Sequence, residues 1–270
     1  MTADKQKIFL TGLPRSGTTL LTSILNQNPD VYASPNSALC QIIWDTQLRI
    51  FNDEQFRAHP NYQGALNVLS SLADNYYKDQ PQKVIIDKCR DWGVPPNQKI
   101  TKLYIDDNPK YIIVVRNVLD VLASFITLLN KKGQNTGYFD NEIGYTYRSL
   151  DDARCDFLMK PNGLIDRSLW SIASLLDPSN NVAYCLIDYD EIVNTPEVVT
   201  DAIYDFIGID KFKHDFKNIE NKYPEDDNIY GLTGFHKVRP TISNKSLPYT
   251  EVLSDYVINK YANYNIWETK

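Results

Sequence analysis

Residues 7–21 read KIFLTGLPRSGTTLL, and this stretch decides the architecture. Ile8, Phe9 and Leu10 form a short apolar run within a strand over 7–12, of the kind found buried on both faces of a sheet. Gly12 and Pro14 break the run, and 18–25 resumes an apolar pattern at helical spacing. A strand, a glycine-bounded turn and a helix in that order can aim successive backbone N–H groups at an anion beside a helix N-terminus. The frame Gly12-x-x-x-x-Gly17 has P-loop spacing, with Thr19 at its Ser/Thr position. Thr18, however, stands where a P-loop carries the lysine that reaches the β- and γ-phosphates. A nucleoside triphosphate is therefore a poor match, and Arg15 supplies a cation from inside the loop.

Three further β-branched runs follow, at 83–87, 111–115 and 182–187. Between them, helical spacing predicts helices over 37–51, 62–77, 99–105, 118–129, 164–176, 197–207 and 252–261, with Gly208 closing the 197–207 helix. Strands alternating with helices imply an α/β fold: one P-loop-like, doubly wound parallel sheet flanked by helices, in a single domain over 1–270. In such sheets ligands bind outside the carboxyl ends of the strands.

Composition narrows the function further. The 270-residue chain has a net charge of −6, which excludes the overall basic field a nucleic-acid partner needs. No apolar run approaches the roughly 18 residues of a membrane span, and the N-terminus lacks signal-peptide organisation. A soluble cytoplasmic protein is expected. Cys40, Cys89, Cys155 and Cys185 form no CxxC pair, and His59, His214 and His236 are far apart, so no metal site is expected.

The residues after the other strands carry chemistry too. In YIIVVRNVLDVLASF (111–125), Arg116 ends a strand and Ser124 returns a hydroxyl after about two helical turns. A guanidinium suits a phosphate because its planar fork binds two oxygens. Tyr189 opens YDEIVNTP (189–196), Lys88 follows Asp87 at the end of the second run, and GLTGFHKVRP (231–240) carries His236, Lys237 and Arg239. A segment over 230–247 thus has the charge to close over an anionic ligand.

Together these motifs resemble the PAPS-dependent sulfotransferases. LPRSGTTLL is similar to their 5′-phosphosulfate loop, and PRSGTTL followed by NPDV (28–31) is nearest to the tyrosylprotein and carbohydrate enzymes. The cytosolic small-molecule enzymes carry lysine where this chain has Arg15. The resemblance implies that Pro14, Arg15, Ser16, Gly17, Thr18 and Thr19 hold the 5′-phosphate of PAPS. It further implies that Arg116 and Ser124 hold the 3′-phosphate, and that Tyr189 and Arg239 contact the nucleotide. Arg15 and Lys88 would act on the leaving group, and the cosubstrate would work without a metal. The acceptor would be a sugar or tyrosine-like hydroxyl, shaped by segments 37–80 and 131–180.

The general base is not legible. The tyrosylprotein enzymes place a glutamate soon after N/H-P-D-V, where this chain has Pro35 and Asn36. His236, Asp91, Asp45 and His59 remain as candidates, with His236 suited by its ordinary pKa. Two other readings stay open at this level. One is a P-loop kinase using ATP and Mg²⁺, with Asp87 as metal carboxylate; the other is a non-catalytic PAP-binding protein.

Overall fold

The computed structural model describes residues 5–143, 149–243 and 247–268. Five strands form one sheet: β1 (Gln6–Gly12), β2 (Val31–Asn36), β3 (Val84–Lys88), β4 (Lys110–Val115) and β5 (Ala183–Asp188). Their order is β2-β3-β1-β4-β5, and every pairing is parallel. The helices after β1 and β2 are α1 (Thr18–Leu25), α2 (Leu39–Asn52), α3 (Glu54–Ala58) and α4 (Tyr62–Tyr76). Between β3 and β5 lie α5 (Pro95–Tyr104), α6 (Val118–Leu129), α7 (Gly137–Ile143), α8 (Leu150–Met159) and α9 (Leu164–Leu176). The rest of the described chain carries α10 (Tyr189–Asn194), α11 (Pro196–Ile207), α12 (Tyr249–Val252) and α13 (Asp255–Tyr261). Among the described residues no helix is long and apolar enough to cross a membrane.

Period-two alternation sends successive strand residues to opposite faces, and here both faces are apolar. Phe9, Ile85, Tyr111, Ile113 and Val115 join one core, packed by α2, α4, α6, α8 and α9. Ile8, Leu10, Ile86, Ile112 and Val114 join the other, packed by α1 and α11. The four expected strands are present, but β5 is an edge strand whose Ala183, Tyr184 and Leu186 are exposed, so it is not buried on both faces as expected. The fifth strand, β2, is absent from the sequence expectation. Its VYASPN composition is neither a continuous apolar run nor a clean alternation, and Pro35 is tolerated because the strand lies at the opposite edge. The expected 99–105 helix begins earlier, with Pro95 and Pro96 in its first turn, where a missing N–H costs nothing. Gly208 does close α11, in the left-handed region at φ 81°.

The same alternation separates Asp87 from Lys88. Asp87 falls on the Ile85 face, where its carboxylate accepts from Trp92 Nε1 at 2.7 Å and from the Tyr77 hydroxyl. Burial pushes its carboxyl above the usual range. Asp87 is thus a core acceptor, not a metal carboxylate at the ligand edge. Replacing it leaves two buried donors unsatisfied, each costing about 1–3 kcal/mol. Asp87→Ala is expected to lower the unfolding free energy by about 2–6 kcal/mol in urea titration.

Candidate functional site

The carboxyl ends of all five strands open into one cleft of about 660 Å³, lined by Gly12, Asn36, Lys88, Arg116 and Tyr189 among others. The 12–19 loop forms its floor. Arg15 at φ 63° and Gly17 at φ 86° lie in the left-handed region, which winds the loop tightly into the start of α1. Gly17 is required for a second reason: a Cβ there would come within 2.8 Å of Tyr189 Cδ2. Pro14, Arg15, Gly17, Thr18 and Thr19 line the cleft. Ser16 does not. It is fully buried, and both its amide and its hydroxyl are bonded to the Leu13 carbonyl, at 3.3 and 2.6 Å. Both bonds hold the loop in its turn.

The 111–125 segment meets this loop directly. Arg15 Nε donates to Ser124 Oγ at 3.1 Å, and Arg116 Nη1 donates to the Arg15 carbonyl at 3.0 Å. The Tyr189 ring lies under the Arg116 guanidinium, 4.2 Å from ring centroid to Cζ, and so packs a cation as well as lining the cleft. Burial, and then the neighbouring Arg116, pull the Arg15 pKa down to about 10. Two guanidinium groups held this close out of water form a site that an anion would stabilise. Arg239 also lines the cleft, at an exposed position with Nη1 3.3 Å from Ser243 Oγ. Of the expected closing segment, Tyr230, Leu232, 234–239, 241–243 and Leu247 line the cleft; 244–246 fall outside the described residues. Its contact with the loop runs through Phe235, whose carbonyl accepts from Arg15 Nη1 and whose ring lies 5.4 Å from the Arg15 guanidinium carbon.

At the other end of the cleft is a cluster the sequence did not reveal. Lys88 Nζ lies 3.1 Å from Glu225 Oε1 and 3.3 Å from Thr19 Oγ1. Both partners of the ion pair are buried, with side chains 4% and 9% exposed. Burial would raise the Glu225 carboxyl, but Lys88, His236 and the Asn36 N–H outweigh it and hold it below the usual carboxylate range. Asn36 itself binds a carboxylate: its Nδ2 donates to Glu225 Oε2 at 2.8 Å.

His236 completes the cluster. Its Nδ1 lies 2.7 Å from Asp227 Oδ1, and its backbone N–H donates to Asp227 Oδ2 at 3.1 Å. A carboxylate only accepts, so the Asp227 contact assigns the proton to Nδ1 and leaves the Nε2 lone pair to accept from Asn36 Nδ2, 3.3 Å away. Burial lowers the imidazole pKa despite the opposing carboxylates, which keeps the ring neutral near pH 7. The other base candidates lie elsewhere. Asp91 is bound by Arg167 at 2.9 Å, Asp45 accepts from Gln41 on the exposed side of α2, and His59 is exposed at the end of α3. Glu225 and Asp227 sit in a Pro-Glu-Asp-Asp run, which reads as solvated surface charge until the chain is folded. Of the two segments expected to shape the acceptor site, 131–180 contributes Lys131, Tyr138, Phe139 and Leu164 to the lining, while the described lining includes no residue of 37–80.

The chain has counterparts among known proteins. A sequence profile described as "Sulfotransferase family" matches residues 7–214. The fold is similar to the sulfotransferase domain of a Synechococcus olefin synthase, at 19% identity and TM-score 0.57, covering 96% of this chain and 95% of that one. It is also similar to the sulfotransferase domain of the curacin biosynthetic pathway, at 16% identity and TM-score 0.52, covering 97% and 99% of the two chains. A mouse sulfotransferase complexed with PAP aligns at 15% identity and TM-score 0.54, covering 97% and 84%. No curated protein sequence matches the chain.

Removing one member of a buried ion pair leaves an uncompensated charge, at a cost of about 3–5 kcal/mol. Lys88→Met should therefore destabilise the protein by that order in denaturant unfolding. The double variant Lys88→Met/Glu225→Met should recover most of the loss.

Proposed function

This chain belongs to the sulfotransferase family, and we propose that it transfers a sulfuryl group from PAPS to a hydroxyl of its acceptor. One observation carries the reading. Two anion-binding elements about a hundred residues apart, the 12–19 loop and the Arg116–Ser124 segment, converge through the Arg15–Ser124 bond, and a buried lysine and a neutral histidine face the same cleft. The donor set of guanidinium groups, hydroxyls and loop amides matches a nucleotide bearing two separate phosphate groups.

When bound, PAPS supplies the activated sulfuryl group and leaves as PAP. Arg116 and Ser124 are assigned to the 3′-phosphate, with Tyr189 packing Arg116 from below. Arg15, Thr18, Thr19 and the loop amides after Ser16 are assigned to the 5′-phosphate, and Arg239 to the outer rim. Lys88, bridging Thr19 and Glu225, stands ready to offset charge on the leaving oxygen. His236 Nε2 is assigned the acceptor's proton, with Asp227 fixing the ring and stabilising the imidazolium that forms. Positioning and charge stabilisation then do most of the catalysis, as in phosphoryl transfer. No metal takes part in this reading, and a cytoplasmic enzyme is the expected setting. The kinase alternative needs Asp87 at the ligand edge, but Asp87 is bonded to Tyr77 and Trp92. The oriented, neutral His236 favours an enzyme over a passive PAP-binding protein.

The donor site is tested by thermal stabilisation with PAP, ADP and ATP, each with and without Mg²⁺. At 100 times its Kd, PAP should add about 2.7 kcal/mol to the folded state without Mg²⁺, and ADP far less. Arg116→Ala and, more conservatively, Ser124→Ala should erase the difference. Stabilisation by ATP with Mg²⁺ and none by PAP would sink the reading.

The base is tested by a pH profile. His236 must be neutral to accept a proton, so kcat/KM should fall as pH drops through its pKa, which burial sets below the ordinary 6.5. His236→Gln should lower kcat by about 10²–10⁴-fold and remove that acid limb, with PAP stabilisation intact. An unchanged acid limb in the variant would assign the base elsewhere.

A further inference from the structure

One run of polar contacts joins the 12–19 loop to His236, and Glu225 stands at its centre. Thr19 Oγ1 lies 3.3 Å from Lys88 Nζ, and Lys88 Nζ lies 3.1 Å from Glu225 Oε1. The second carboxylate oxygen, Oε2, lies 3.6 Å from His236 Nδ1, whose nearer carboxylate is Asp227 at 2.7 Å. Asn36 ties the same groups together. Its N–H donates to Glu225 Oε1 at 3.2 Å, and its Nδ2 lies 2.8 Å from Oε2 and 3.3 Å from His236 Nε2. The Tyr230 hydroxyl donates to Oε2 at 3.3 Å, and its ring centroid lies 5.5 Å from that of the imidazole. Thr19, Lys88 and His236 line the cleft; Glu225 does not. With its side chain 9% exposed, Glu225 meets a ligand only through these neighbours.

A buried carboxylate between a lysine and a histidine has one charge to share between them. With the donor site empty, Lys88 is the nearer of the two. Its ammonium works against protonation of His236, whereas Glu225 and Asp227 favour it. A phosphosulfate held by the 12–19 loop would bring negative charge to Lys88 from the cleft side. Lys88 is then compensated by the ligand, and the Glu225 charge is left to the histidine. We propose that Glu225 is a positioning residue that couples the two ends of the cleft, holding Lys88 until the donor arrives and then stabilising the imidazolium that forms on His236; the inference rests on the sulfuryl-transfer reading above. Proton uptake by the base is thereby favoured beside a loaded donor site. Such coupling is reciprocal, and the same carboxylate repels an anionic donor until its charge is taken up. Removing the charge therefore moves donor affinity and turnover in opposite directions, which loss of a purely structural contact does not.

NMR of the intact chain labelled in its histidines tests this, with the His236 signal identified by its loss in His236→Gln. Saturation with PAP should move the His236 titration midpoint upward in the wild type, and by less than about half as far in Glu225→Gln. The charge of PAP acts on the ring in both proteins, so the difference between them reports on Glu225. His59 at the end of α3 and His214 against Tyr204 serve as internal references. In calorimetric titration, PAP should bind Glu225→Gln about tenfold more tightly than the wild type, while kcat falls about tenfold. Glu225→Asp, which keeps the charge, should bring both values back toward the wild type. If Glu225→Gln folds poorly, the Lys88→Met/Glu225→Met protein, which leaves neither charge of the pair behind, should show the same reduced midpoint shift. Equal midpoint shifts in wild type and variant, or PAP affinity and kcat falling together, overturn the proposal while the donor site stands. Failure of PAP to bind the wild type removes the sulfuryl-transfer reading, and the coupling falls with it.

Discussion

An ammonium at the end of a fully buried strand must find a counter-charge, and that constraint organises this molecule. Lys88 ends β3, in the middle of three neighbouring strands, with its side chain almost completely out of water. Desolvation disfavours its charged form, and Glu225 supplies the compensating carboxylate. Glu225 reaches it from far along the chain, so the ion pair ties the segment around 225 to the end of β3. The same placement brings Asp227 and His236 to the cleft and lays Phe235 against Arg15. An electrostatic requirement of the core thereby assembles the site.

The other end of the cleft is set by repulsion. Arg15 and Arg116 lie close together, and each is held by groups the fold supplies: Ser124 and the Phe235 carbonyl for Arg15, the Arg15 carbonyl and the Tyr189 ring for Arg116. These contacts orient the guanidinium groups without neutralising them. A polyanionic ligand gains from finding them already positioned, because little ordering is left to be done on binding. Under the proposed sulfuryl transfer, these cations would meet the donor's charge and His236 would take the acceptor's proton.

Both faces of the sheet contribute to this division. One core supplies α1, which follows directly on the loop, and the other supplies α6, α7 and α9, which contribute Leu128, Phe139 and Leu164 to the cleft lining. Asp87 and Lys88 show the consequence at single-residue scale. Adjacent in sequence, they point to opposite faces, one satisfying Trp92 and Tyr77 in the core and the other facing the cleft.

The amino-acid sequence by itself determined what depends on neighbours along the chain. The strand, turn and helix over 7–25, the Arg116–Ser124 spacing, the parallel α/β class and most helix positions follow from periodicity and local stereochemistry. The burial of Ser16 and the edge position of β5 do not, because burial is set by elements distant in sequence. β2 escaped notice because an edge strand with a proline needs no continuous apolar signal. The carboxylates of the site were decided only by the tertiary structure. Glu225 and Asp227 look like solvated charges in sequence, and their roles exist only because Lys88 and His236, separated by almost 150 residues, are buried beside them. Pairing of buried charge is a property of the folded interior, where low dielectric makes the partner matter; a linear pattern holds no record of it.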